Sequence, residues 1–177
     1  MPLSFIFGEK IMYVFGIDPT SVRTSTEVPE FGLGQIGLNA TSSGATKGYI
    51  YVQDSGATIT GDGYVALIDG SAFTAIMATT TTSAPGTGAG KMAGVARAAI
   101  AASGYGWLQI LGPGTVRTAA SCVAYTLINT TATAGVLDDD ASSGAEVIEG
   151  IVLDVATGGS EASTAGVINW PKVSRTL

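Results

Sequence analysis

Three stretches carry residue types that do chemistry. Gly86-Thr87-Gly88-Ala89-Gly90-Lys91-Met92 has the glycines and lysine of a loop whose backbone amides cradle phosphate. That loop needs a glycine five positions before the Gly-Lys pair and a hydroxyl after it to hold magnesium. Here those positions are Pro85 and Met92, so the stretch reads as a flexible surface loop. Asp138-Asp139-Asp140, with Glu146 and Glu149 nearby, offers carboxylate oxygens suited to a hard cation. It lacks the glycine and glutamate spacing of a calcium loop and reads as a solvated turn between strands. Serine chemistry has no support, because there is no Gly-x-Ser-x-Gly elbow and the chain contains no histidine to act as base. Cys122 is the only cysteine, which excludes an intrachain disulfide and a thiolate-rich zinc site and leaves it a small buried hydrophobe. No catalytic, cofactor-binding or metal residue is assigned, and the expectation is a protein that is not an enzyme.

Composition narrows the partners. Charged residues make up 12% of the 177 positions, about half the usual share, and mean hydropathy is +0.39. No window holds the roughly 18 to 20 consecutive apolar residues of a membrane-spanning helix. Surface polarity must therefore come from Ser, Thr, Asn, Gln and backbone amides, and a weakly charged surface of this kind suits burial in an assembly. A net charge of −6 and eight scattered basic residues argue against nucleic acid, which needs clustered Lys and Arg to neutralise phosphates. The opening MPLSFIFGEKIMYVFG is apolar but has no basic start, and Glu9 and Lys10 interrupt it. It is therefore read as part of the mature protein, made without an export signal.

The elements that would position any site are short and glycine-punctuated. Strands are expected over 49–53, 64–68, 73–77, 91–96, 105–111, 122–129, 134–138, 147–155 and 166–169, separated by turns such as Asp54-Ser55-Gly56 and Gly61-Asp62-Gly63. Regular short strands favour an all-β fold, a small β-barrel or β-sandwich, over βαβ units. The alanines of Lys91–Ser103 have high helix propensity; a strand to residue 96 followed by a helical turn over 97–102 is expected, making at most one short helix or helical turn. Thr79–Gly90 reads as a mobile loop. The Asp18-Pro19 and Val28-Pro29 breaks suggest an extended N-terminal arm over residues 1–46, with a compact β-domain over 47–177.

Two segments call for a positive explanation. Gly94–Gly114, GVARAAIAASGYGWLQILGPG, combines a Gly-Val-Ala step, an alanine turn and a Tyr-Gly-Trp strand, and the tail carries Gly166-Val167-Ile168-Asn169-Trp170-Pro171. Over about residues 90–175 these features resemble tailed-bacteriophage head decoration, or cement, proteins and related small virion structural proteins. The resemblance implies a small β-barrel or sandwich that coats the outside of the head, commonly as a homotrimer, with the major capsid protein as partner and no active-site residues. On that expectation the apolar arm docks on the capsid or on a neighbouring subunit through Phe5, Phe7, Tyr13, Phe15 and Phe31. The alternatives are a tail, fibre or other particle component and, from another class, a carbohydrate-binding module. The last requires Trp107 or Trp170 to face solvent. Both tryptophans are otherwise expected in the core.

Overall fold

A strand that is apolar at every position must be covered on both faces. Val65–Ile68 (β4) is buried at all four positions and Met92–Ala96 (β6) at all but its first. The two pair antiparallel, Val65 opposite Val95 and Ile68 opposite Met92, forming a wall between two cores. Val65, Leu67, Ala93 and Val95 face one core, shared with Val116, Leu137, Ile148 and Ile168. Ala66, Ile68 and Ala96 face the other, shared with Ile50, Val52, Leu108 and Ile110.

The computed structural model describes residues 13–40, 44–87, 91–140 and 142–177. Among the described residues the protein is all-β, with 46% of them in strands and eleven strands in one hydrogen-bonded sheet that closes on itself. Around one core run Thr46–Asp54 (β3), Thr74–Met77 (β5), β4, β6 and the first half of Tyr105–Thr118 (β7), which pairs with both β6 and β3. Around the other run the second half of β7, Asn129–Thr130 (β8), Leu137–Asp138 (β9), Glu146–Leu153 (β10) and Ala162–Thr176 (β11). No helix among the described residues is long and apolar enough to cross a membrane.

One strand serves both circuits because it bends at Gly112-Pro113-Gly114. Leu111 faces Gly48 of β3 and Asn169 of β11. Gly112 has φ +91°, and a Cβ there would strike the Thr46 carbonyl oxygen. The fully buried Gln109 secures the bend: its Nε2 donates to the carbonyls of Leu111 (3.1 Å), Gly112 (3.2 Å) and Pro113 (3.0 Å). Gln109→Ala should cost about 2 kcal/mol or more in denaturant unfolding, since it removes a buried donor from these carbonyls.

The outward face of β3 and β7 is aromatic and needs a cover. Tyr49, Tyr51 and Trp107 are buried there with Ile17. Phe31 closes over them, its ring centroid 5.5 Å from that of Tyr51 and 5.0 Å from that of Trp107. Arg23 exchanges backbone hydrogen bonds with Tyr105. Tyr13–Phe15 (β1) pairs parallel with Ile36–Ala40 (β2), and β2 pairs antiparallel with β3. This corrects the arm expected over 1–46: residues 13–40 are packed on the body, and the boundary placed at 47 falls inside β3. Residues 1–12 lie outside the described residues.

Three local expectations also change. The stretch 97–102 has no helical turn; Ile100 instead forms an isolated bridge with Ile59, and a Cβ on Gly61 would come within 2.6 Å of the Ala99 nitrogen. This close backbone contact outweighs alanine propensity. The expected loop 79–90 contains the short helix Thr80–Ser83 (α1), held by a capping box between Thr79 and Thr82; Gly88, Ala89 and Gly90 lie outside the described residues. Of the strand expected over 122–129 only Asn129 lies in a strand, β8. Ser121 and Tyr125 have left-handed backbones, φ 66° and 62°, which a regular ladder does not accommodate.

Candidate interaction surface

β11 alternates along its length: Thr164, Gly166 and Ile168 point inward, and Ala165, Val167 and Asn169 point outward. Val167 stands opposite Val152 on β10 and Pro113 on β7. All three are exposed, so an apolar row crosses three adjacent strands. The strands approach closely at this row, because a Cβ on Gly166 would strike the Val152 carbonyl oxygen. The surface continues past the other edge of β10, where the Tyr125 amide bonds the Leu153 carbonyl at 3.1 Å and the Thr157 amide bonds Cys122. Tyr125, Leu127 and Val155 are exposed there. Seven of the exposed large hydrophobics, Val123, Tyr125, Leu127, Val152, Val155, Val167 and Trp170, belong to these segments. Exposed apolar residues gathered on neighbouring segments in this way make the face a candidate interaction surface.

Trp170 is displayed beside this row by a bulge. Glu149 pairs with Lys172 and Ile151 with Ile168, so β10 spends only Gly150 where β11 spends Asn169, Trp170 and Pro171. Gly150, at φ +86°, leaves no room for a side chain against the Asn169 carbonyl and Pro171. Trp170 sits at φ 48°, a conformation costing a bulky residue about 1–2 kcal/mol. Such strain persists only where its surroundings enforce it, here the bulge opposite Gly150. Trp170 is 48% exposed and Trp107 1%. Iodide should therefore quench Trp170 emission and leave that of Trp107 unchanged; loss of the quenchable component in Trp170→Phe checks the assignment.

The acidic turn is engaged locally. Asp138 Oδ1 accepts from the Cys122 thiol at 3.3 Å and from the Asp139 amide at 2.9 Å, and Asp139 Oδ2 accepts from the Val123 amide at 2.9 Å. Cys122, Asp138 and Asp139 bring possible ligand atoms within 4.8 Å of one another, but these bonds serve to hold the 121–127 segment. Glu146 is buried and accepts from Thr176 at 2.7 Å. Burial, reinforced by Asp138, pushes the Cys122 thiol up from 9.0 to about 12. A raised folded-state pKa favours the folded protein below the unfolded value, and this advantage is lost as pH rises through the folded one. The stability difference between the native chain and Cys122→Ala should accordingly shrink from about pH 9 to about pH 12 in denaturant titrations.

A cavity of about 230 Å³ beside α1 is lined by Asp69, Ser83, Lys91 and Glu146 among others. It is smaller than the roughly 300–1,000 Å³ of most small-molecule sites. The Ser83 hydroxyl is spent on the Thr79 carbonyl (2.6 Å) and the Thr130 hydroxyl (3.0 Å).

Of the contact residues expected in the arm, Phe15 and Phe31 lie on segments other than those that form this surface. Phe5 and Phe7 lie outside the described residues. Tyr13 contributes its backbone to β1. Phe15 is 75% exposed on that strand, separated from β3 by β2. Phe31, part-buried, lies over Tyr51 and Trp107, because the aromatic face beneath it must be covered. The adjacent apolar pair Val167-Ile168 was the available signal for the surface found instead: both parities of one strand are apolar, so one of them must face outward or meet a second layer. Comparison of the chain with protein-family models, curated proteins and solved structures returns no match.

Proposed function

We propose that this protein is a structural subunit that binds an assembled lattice through the outward face of β7, β10 and β11, as a decoration protein of a tailed-phage head. The observation that carries the reading is the apolar row Val152–Val167–Pro113 with Trp170 displayed beside it. Burying this row and the aromatic supplies hydrophobic free energy and shape complementarity. Binding to the assembled lattice in preference to its free subunits stabilises it by mass action. The identity of the lattice rests on the resemblance of residues 90–175; a homotrimer seated on the major capsid protein at the head exterior follows from that resemblance. The chemistry is binding, without turnover.

The test adds the full chain to particles lacking it and counts the copies retained. Saturable retention of many copies per head, with particle disruption shifted to higher temperature and only weak dependence on salt, is the expected result. Release by moderate salt alone would count against a contact made mainly by apolar surface. A second reading, a carbohydrate-binding module, is favoured by the exposed Trp170 beside the exposed Asn169, since an aromatic face stacks on sugar rings and an amide bonds their hydroxyls. Quenching or enhancement of Trp170 emission by glycans, without particle retention, would select it.

A further inference from the structure

Arg23, Arg117 and Lys172 each pair with glutamates: Glu27 and Glu30, Glu161, and Glu149 respectively. Lys47 and Arg97, like Lys91 and Arg175, do not; among the described residues none of these four has a carboxylate within ion-pair distance. Lys47 and Arg97 both stand against the same stretch of β7. Arg97 Nη1 donates to the Thr115 hydroxyl at 2.9 Å and Nη2 to the Thr115 carbonyl, while its buried Nε has no partner. Lys47 lies over the bend, its Cα 3.1 Å and Cγ 3.3 Å from where a Cβ on Gly112 would sit. Burial holds both groups below their ordinary ranges, and the Arg97 charge adds to the effect on Lys47. Asp62 favours the Arg97 charge without forming an ion pair. Two cations converge on one strip in a chain of net charge −6, a costly arrangement that an incoming anion would relieve.

On the other edge of that strip, Pro113 faces Val167. The arrangement is therefore cationic along one flank and apolar along the other. We propose that the Leu111–Thr115 strip docks a protein segment bearing a carboxylate beside an apolar side chain, the carboxylate meeting Lys47 and Arg97 and the apolar group lying on Pro113 and Val167. This rests on the reading of the β7, β10 and β11 face as an interaction surface and names the chemistry of its partner. Charge complementarity selects an acidic protein segment. A nucleic acid strand would instead require a track of cations following successive phosphates, and the other basic residues are scattered or paired.

The probe is N-acetyl-leucine, an apolar carboxylate, compared with its uncharged amide and with inorganic phosphate, each titrated into the full chain and followed by amide chemical shifts. N-acetyl-leucine should shift residues 47, 97, 111–115 and 167 saturably, with the amide, phosphate and the Lys47→Gln chain each responding at least fivefold more weakly. Equal response to the amide, equal response to phosphate, or unchanged response in Lys47→Gln would each overturn the proposal. Lys47 is partly exposed, and an unchanged spectrum away from this strip verifies that the variant is folded. Failure here with particle retention intact overturns this inference alone, whereas the expected shifts with no particle retention overturn the decoration reading alone.

Discussion

Trp107→Ala should lower the unfolding free energy by about 3–5 kcal/mol, the usual cost of deleting a large buried aromatic. Trp107 is 1% exposed and touches the rings of Tyr51 and Phe31, each at 5.0 Å between centroids. Its removal opens a cavity under the segment carrying Phe31 and strips the packing that holds residues 17–36 against β3. Trp107→Phe should cost much less, because the indole Nε1 is buried without a hydrogen-bond partner and the phenyl ring lacks that unsatisfied donor. Urea unfolding of both variants provides the comparison. A Phe variant as unstable as the Ala variant would mean that the indole hydrogen finds a partner, and the account of this aromatic layer would be wrong.

The double substitution Val152→Asp/Val167→Asp should weaken binding to particles by about a hundredfold, or roughly 3 kcal/mol, while lowering the stability of the free protein by only about 1–2 kcal/mol, through poorer strand propensity and the repulsion of like charges directly opposite one another. Both side chains point away from the cores and face one another across β10 and β11. Carboxylates there remain hydrated in the free protein but must lose water, and repel each other, when the face is covered. Co-sedimentation with heads, read beside thermal unfolding, separates these outcomes. Unimpaired binding would place the contact elsewhere on the molecule.

The sequence is most informative where burial leaves one solution. The unbroken apolar run Val65-Ala66-Leu67-Ile68 and the Gly-Val-Ala step at Gly94 are strands under any arrangement, and the structure uses them as the wall between two cores. Glycine-bounded turns likewise foretold short strands and an all-β class. Composition could not reveal that β7 bends into a second circuit, since this depends on Gln109 reaching three carbonyls of its own strand. The N-terminal stretch looked like an arm because its prolines and glycines break any long ladder. Its packing became legible only once Tyr49, Tyr51 and Trp107 were seen to share a face that needs covering. The exposed row was hidden for a similar reason: Val152, Val167 and Pro113 are far apart in the chain, and only the strand register aligns them. Trp170 has the same composition signal as Trp107; the bulge opposite Gly150 separates their fates.

Reconstruction of intact particles carrying the full chain tests the central claim most directly. The account predicts many copies on the head exterior, each with the β7, β10 and β11 face turned onto the lattice and Val152, Val167 and Trp170 withdrawn from solvent. Copies bound with that face open to solvent, or heads that take up none of the protein, would contradict it.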